Sequence, residues 1–211
     1  MRPMTYRTEQ EAFWAGEFGD AYRERCALTD DLVAARTNCM ARMLKQASPV
    51  KSAFEVGCNI GLNLVAMKRV SPATELNAIE INDTSAEQAR RLGIAEVETA
   101  SALSYAPKRS YDMTMICGVL IHMNPEVLPE VYDLLFRASD RLILLFEYYN
   151  PTPMEVNYRG HEGRLFKRDF AGEMLDRYEG ELRLVDYGFF YHRDPIARSD
   201  DGTFFLMEKT A

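Results

Sequence analysis

Apolar positions recur along this chain with two alternating periods. The short apolar runs "SAFEVG" (52–57), "ELNAIEIN" (75–82), "AEVETAS" (95–101), "YDMTMICGV" (111–119) and "RLILLFEYY" (141–149) read as strands. Between them, "GLNLVAMKRV" (61–70), closed by Pro72, and "DTSAEQARRLG" (83–93), ending at Gly93, read as helices. In "NPEVLPEVYDLLFRAS" (124–139), Asn124 takes the N-cap position and Pro125 the first helical one, and Val127, Leu128, Val131, Leu134 and Leu135 form one apolar face. The run at 141–149 is continuously apolar, as in a strand buried on both faces of a parallel sheet. Strands alternating with helices across short turns predict an α/β fold with a doubly wound, mostly parallel sheet.

The flanks differ from this centre. Residues 28–46 carry Leu32, Ala35, Cys39 and Met43 at helical spacing, with Ser48-Pro49 as the stop. Before them, "TEQEAFWAGEFGDAYRER" (8–25) mixes aromatics with Gly16 and Gly19. After Asn150 comes a polar stretch with prolines and glycines, then the helix candidate "KRDFAGEMLDRY" (167–178). "LRLVDYGFFYH" and "TFFLMEK", separated by "RDPIARSDDG", predict an antiparallel hairpin at one edge of the sheet. The expected organisation is one domain, 1–211, with an N-terminal lid and helix (1–47) and an α/β core (48–211).

Composition narrows the function classes. A net charge of −7 disfavours nonspecific nucleic-acid binding, which depends on neutralising phosphates. No apolar run reaches the ~20 residues that span a bilayer, and "MRPMTYRTEQEAF" lacks the apolar centre of a signal peptide. Cys26, Cys39, Cys58 and Cys117 are scattered without a CxxC pair, which fits reduced thiols in a cytoplasmic protein and no metal site. The sequence leaves the oligomeric state open.

The candidate chemistry centres on "FEVGCNIGLN" (54–63), at the end of the first strand, where a doubly wound sheet binds its ligands. Gly57 and Gly61 permit a tight turn and a close approach of ligand to backbone, and the following helix presents its N-terminal amides. Glu80 ends the second strand, where a carboxylate can accept from both hydroxyls of a ribose. A structural turn with an incidental glutamate is the alternative. NAD binding requires G-x-G-x-x-G, a spacing broken by Asn59-Ile60-Gly61.

E-x-G-x-x-x-G followed by a strand-end acid resembles the class I S-adenosylmethionine-dependent methyltransferases. "EAFWAGEFGDAY", "FEVGCNIGLNL", "GVLIHMNPEVLPEVY", "EYYNPTPMEVNYRGHEGRLFKRDFAGE" and "VDYGFFYHRDP" together resemble the pseudaminic acid biosynthesis-associated methylases over roughly residues 8–209. That family in turn resembles the cyclases that convert S-adenosylmethionine into azetidine-2-carboxylate. The resemblance implies a Rossmann-like domain that binds S-adenosylmethionine. It implies Glu55, Gly57, Cys58, Asn59, Gly61 and Asn63 on the methionine side and Glu80 on the ribose. Ile81, Ser101 and Ala102 then meet the adenine, and Gly118 and Val119 run beside the sulfonium.

Around this cofactor, Trp14, Phe18 and Tyr22, with Phe13, are expected to form an aromatic lid. His122 is a candidate general base or an orienter of its loop. Glu147, Tyr148, Tyr149 and Asn150 end the fifth strand on the ligand side. Tyr158, Arg159, His161, Lys167, Arg168, Tyr191 and His192 are further candidates for substrate contact. The expected function is methyl transfer to a small sugar- or amino-acid-like acceptor, giving S-adenosylhomocysteine. The alternative is ring closure of S-adenosylmethionine itself, in which its own amine attacks the γ-carbon and methylthioadenosine leaves. A cofactor-binding protein without turnover ranks last.

Overall fold

Each predicted central strand forms in the computed structural model, which describes residues 5–47 and 49–210. The parallel strands are β1 (Ser52–Val56), β2 (Glu75–Glu80), β3 (Glu96–Thr99), β4 (Tyr111–Cys117) and β5 (Ser139–Glu147). A two-stranded ribbon, β6 (Met154–Glu155) with β7 (Phe166–Lys167), precedes the terminal hairpin β8 (Leu182–Phe190) and β9 (Gly202–Lys209). The main sheet runs β3-β2-β1-β4-β5-β9-β8, with β9 antiparallel to both β5 and β8. The hairpin therefore extends the sheet at one edge. The order reverses between β1 and β4, and a crevice opens there beyond the carboxyl ends of the strands.

Helices α1 (Glu9–Ala15), α2 (Glu17–Arg25), α3 (Asp30–Met43), α4 (Leu62–Val70) and α5 (Asp83–Arg91) lie in the first half of the chain. α6 (Leu128–Ala138) and α7 (Phe170–Arg177) follow. β4 and β5 are buried along most of their length, because helices cover both faces of the sheet. One core cluster joins Met40 and Met43 of α3, Leu64 and Met67 of α4, and Ala86 and Ala89 of α5. The other joins Val131 and Leu135 of α6 to Phe170 and Met174 of α7.

Local chemistry sets the helix starts. Thr8 and Glu11 form a reciprocal capping box on α1, Thr29 caps α3, Asn82 caps α5 and Asp169 caps α7. Asn124 caps a 3-10 turn, Pro125–Val127, that leads into α6. Three details depart from the sequence reading. The helix expected from Lys167 starts at Phe170, because Lys167 pairs with Met154 and Asp169 supplies the cap. The buried face of α3 is Val33, Cys39, Met40 and Met43, whereas Leu32 is 39% exposed. α3 ends at Met43, and Ser48, its expected stop, lies outside the described residues.

Candidate functional site

The turn from β1 to α4 holds Gly57, Asn59 and Gly61 in the left-handed region, with φ of 77°, 48° and 90°. A Cβ on Gly57 would lie 2.6 Å from a Val119 methyl, so only glycine lets this turn pack against the loop after β4. A Cβ on Gly61 would instead meet Leu92 at 2.6 Å, so Gly61 serves the packing against the end of α5. The turn is stitched to β2: the amides of Gly57 and Cys58 donate to the Ile79 carbonyl at 2.8 and 3.2 Å.

Two buried carboxylates flank this turn. One Glu80 oxygen accepts the Asn59 amide at 2.8 Å, and the other accepts the Asn82 amide at 2.9 Å. Burial raises the Glu80 pKa, and these amides oppose the rise. Glu55 has no solvent exposure. Asn63 donates to one of its oxygens at 2.6 Å. Its other oxygen and the Asn63 carbonyl oxygen are buried without a hydrogen-bond partner among the described residues. Burial pushes the Glu55 carboxyl up to about 8, against the pull of Asn63 and of the Arg36 guanidinium.

A cavity of about 380 Å³ lies over these groups. Gly57, Asn59, Asn63, Glu80 and Ile81 line it from the β1 and β2 ends. Ala102, Gly118 and Val119 line it from the ends of β3 and β4, and Trp14, Tyr22, His122, Tyr148 and Tyr158 close it opposite. Glu55, Cys58, Gly61, Ser101, Phe18, Asn150 and His161 sit outside the lining. Cys58 is packed in the core. Ser101 is buried and donates to Glu11, whose other oxygen accepts the amides of Arg7 and Thr8 at 2.7 and 3.2 Å. Glu11 thus reaches the lining where Ser101 was expected. Asn150 is half-buried beyond the cavity, its backbone amide donating to the Arg168 carbonyl at 3.3 Å. Phe18 and His161 form an outer aromatic layer with Phe13: the Phe13 and Phe18 rings stack at 4.1 Å, and His161 lies 5.0 Å from Phe13.

The inner layer centres on Trp14. Its ring lies 4.5 Å from His122, 5.3 Å from Tyr22 and 6.3 Å from Tyr158. The buried indole N–H has no partner among the described residues. His122 Nδ1 is 2.7 Å from the Arg164 carbonyl oxygen. A carbonyl only accepts, so Nδ1 carries the proton and Nε2 presents a bare lone pair. Burial pushes the His122 pKa down to about 4, so the imidazole is neutral at physiological pH. Burial, aided by Asp200, keeps Tyr148 protonated.

Glu147, at the end of β5, is buried and accepts the amides of Val119 and Leu120 at 2.9 and 3.0 Å and that of Ile121 at 3.4 Å. It fixes the 3-10 turn that carries His122. The sequence reading did not single out Glu11, Arg36, Asn82 or Asp200, all of which line the cavity. For Glu11 a signal existed in the T-x-x-E spacing of Thr8 and Glu11. Among the described residues no group of three His, Cys, Asp or Glu side chains could hold a metal ion. No described helix is long and apolar enough to cross a membrane.

The chain matches no protein-family model and no curated protein. Solved structures are similar to it. The 1,6-didemethyltoxoflavin-N1-methyltransferase of Burkholderia thailandensis, crystallised with 1,6-didemethyltoxoflavin and S-adenosylhomocysteine, gives a TM-score of 0.72 at 13% identity, covering 100% of this chain and 93% of that one. Magnesium protoporphyrin IX methyltransferase (ChlM) from Synechocystis PCC 6803, with bound SAM, gives 0.68 at 11% identity, covering 98% and 100%. The N-methyltransferase NodS from Bradyrhizobium japonicum WM9 gives 0.64 at 12% identity, covering 86% and 98%. The shared feature is the fold: a seven-stranded, mostly parallel Rossmann-like sheet of the methyltransferase type, closed by an antiparallel hairpin.

Proposed function

We propose that this protein binds S-adenosylmethionine and transfers its methyl group to a sugar- or amino-acid-like small molecule, giving S-adenosylhomocysteine. The observation that carries this reading is the pair of buried acids, Glu55 and Glu80, at neighbouring strand ends, with left-handed backbone between them. A carboxylate has about four acceptor positions, and each Glu80 oxygen accepts one backbone amide, leaving capacity for ribose hydroxyls. The partnerless oxygens of Glu55 and Asn63 suit a cationic group. Ile81 and Ala102 offer apolar walls for a purine, and Gly118 and Val119 would run beside the sulfonium. When bound, the compound supplies a methyl group made electrophilic by that sulfonium.

The protein's own residues would align and desolvate the reactants. Trp14 and Tyr158 present aromatic faces suited to a cation, worth about 0.5–2 kcal/mol each when water is excluded. His122 Nε2 is free to take a proton from the acceptor. The likeness in fold to enzymes crystallised with SAM or S-adenosylhomocysteine supports the choice of cofactor. The sequence resemblance to sugar-cluster methylases supports a role in small-molecule biosynthesis.

Ring closure to azetidine-2-carboxylate is the second reading. It would draw on the same neutral His122 and on the ring of Trp14, Tyr22 and Tyr158 around the cavity, features that serve either reaction. Calorimetry and mass spectrometry test both. S-adenosylmethionine should bind the wild type, and Glu80→Ala should weaken it about 100-fold, because ribose and backbone both lose a charged acceptor. S-adenosylhomocysteine formed only with an added acceptor establishes transfer. Methylthioadenosine with azetidine-2-carboxylate, formed from S-adenosylmethionine alone, establishes ring closure. Absence of binding, or full affinity in Glu80→Ala, defeats the proposal.

A further inference from the structure

We infer that Gln10 is a positioning residue for His122. By holding the Gly163–Arg164 backbone against α1, it decides which imidazole nitrogen carries the proton, so the base is assembled only while α1 is docked. This rests on His122 being the proton acceptor of the reaction proposed above, and it gives that reaction a residue from outside the sheet. Two separate holds act on His122. Glu147 accepts the amides of Val119, Leu120 and Ile121, which fixes the backbone of the 3-10 turn. The ring is held elsewhere. Among the described residues its one hydrogen bond is to the Arg164 carbonyl, 2.7 Å from Nδ1.

A neutral imidazole carries its proton on either nitrogen, and the partner of one nitrogen sets the state of the other. With the Arg164 carbonyl in place, Nδ1 takes the proton and Nε2 keeps a lone pair. With that carbonyl withdrawn, no other hydrogen bond among the described residues keeps the proton off Nε2, where it blocks the base. The position of the carbonyl is therefore decisive. It belongs to the loop of the β6–β7 ribbon, which has two residue pairs and one further bond, from the Val156 amide to the Leu165 carbonyl at 2.9 Å. A ribbon this short is marginal by itself.

Helix α1 supplies what the ribbon lacks. The Gln10 side-chain amide donates to the Gly163 carbonyl at 2.9 Å, on the peptide next to the one that holds His122. The Arg164 guanidinium donates to the same carbonyl at 3.0 Å, reaches Glu9 at 3.3 Å and lies 5.1 Å from the centre of the Phe13 ring. The Glu9 side chain is 84% exposed, so its ion pair adds little. Gln10 is buried, and its hydrogen bond is not shared with bulk water. Trp14, four residues on and so on the same face of α1, lies 4.5 Å from the His122 ring. One helix thus meets the imidazole in two ways, by an aromatic contact and through the backbone that holds Nδ1.

The test reads the ring directly. Proton–nitrogen correlation spectra of the imidazoles distinguish a protonated from a bare nitrogen, and the chain has three histidines, so the signal lost in His122→Asn identifies the one in question. Wild-type His122 should show Nδ1 protonated and Nε2 bare. Gln10→Ala should lower that tautomer ratio roughly 3- to 10-fold, the equivalent of one net hydrogen bond. Gln10→Glu sets a carboxylate oxygen against the Gly163 carbonyl and should lower it further. A thermal melt and the backbone amide spectrum of each variant check folding, and Gln10→Ala, the milder change, carries the test if Gln10→Glu does not fold. A wild-type ring protonated on Nε2, or an unmoved ratio in folded Gln10 variants, overturns the inference and leaves His122 a candidate base. Formation of either product from S-adenosylmethionine at the wild-type rate in His122→Asn removes the base itself, and with it any use for the clamp.

Discussion

Glu80, on one side of the cavity, holds two backbone amides at 2.8 and 2.9 Å from a nearly buried position. On the other side, Arg7 anchors the lid to Glu130 with both side chains 47% exposed. The rest of the lid's attachment is aromatic edges, a buried hydrogen bond from Ser101 to Glu11, and polar links such as Gln10 to the Gly163 carbonyl at 2.9 Å and Asp20 to Asn82 at 3.0 Å. Buried amide–carboxylate contacts are costly to break, whereas exposed ion pairs are worth ~0–1 kcal/mol and aromatic pairs ~0.5–1.5 kcal/mol. The wall built on β1 and β2 is therefore preformed, and the wall built on α1 and α2 is the more loosely held of the two. On the proposed reading, a ligand would enter past the second and be recognised by the first.

The most severe way to break the first wall is Gly57→Ala. A left-handed alanine costs about 1–2 kcal/mol, and forcing a methyl against Val119 adds about 1–3 kcal/mol. For a chain of this length the melting temperature should fall by roughly 5–15 °C, read by calorimetry, and Val119→Ala should restore part of it. An unchanged melt would mean that the turn is looser than its packing implies.

A smaller effect sharpens the electrostatics of the same wall. Glu55 has a pKa of about 8 in the free protein, so at neutral pH it is mostly protonated. A bound ammonium would favour the carboxylate, so on the proposed reading binding of S-adenosylmethionine at pH 7 should release close to one proton. Affinity should then fall about tenfold per pH unit below 8. Calorimetry in buffers of different ionisation enthalpy counts that proton. Glu55→Gln should abolish the release, and its persistence in that variant would assign the proton to another group.

The mildest prediction concerns the lid. Arg7→Ala removes its exposed ionic anchor and should lower the melting temperature only slightly, while amide exchange in α1 speeds up and exchange in β1 does not. Equal acceleration in both would mean that the two walls open as one unit.

These contrasts explain what was legible in the sequence. β4 and β5 are apolar runs bounded by turn residues, and the hairpin strands are rich in aromatics, so periodicity identified them. The turn at Gly57 was legible because its backbone demands glycine. The ribbon of β6 and β7 was not, because two-residue strands carry no period. Arg36 was hidden for a different reason. An arginine in a helix reads as a solvated face, and only the burial of its neighbours Val33 and Met40 reveals where it points. Ser101 and Glu11 show the same limit. Position after β3 suggested the serine, but the acid that reaches the cavity arrives from a helix about 90 residues away in sequence.

Glu147 has one further effect. Exposed peptide N–H groups at the start of a helical turn ordinarily make a small electropositive lip that draws in phosphate or carboxylate. Here those of Val119, Leu120 and Ile121 are turned inward and used up by an acid at the tip of the adjacent strand. The rim beside His122 is left with no backbone donors from these three residues to offer an anion. What remains there is aromatic surface and an uncharged imidazole, with the Arg159 guanidinium, 5.7 Å from the centre of the Tyr158 ring, as the nearby positive charge.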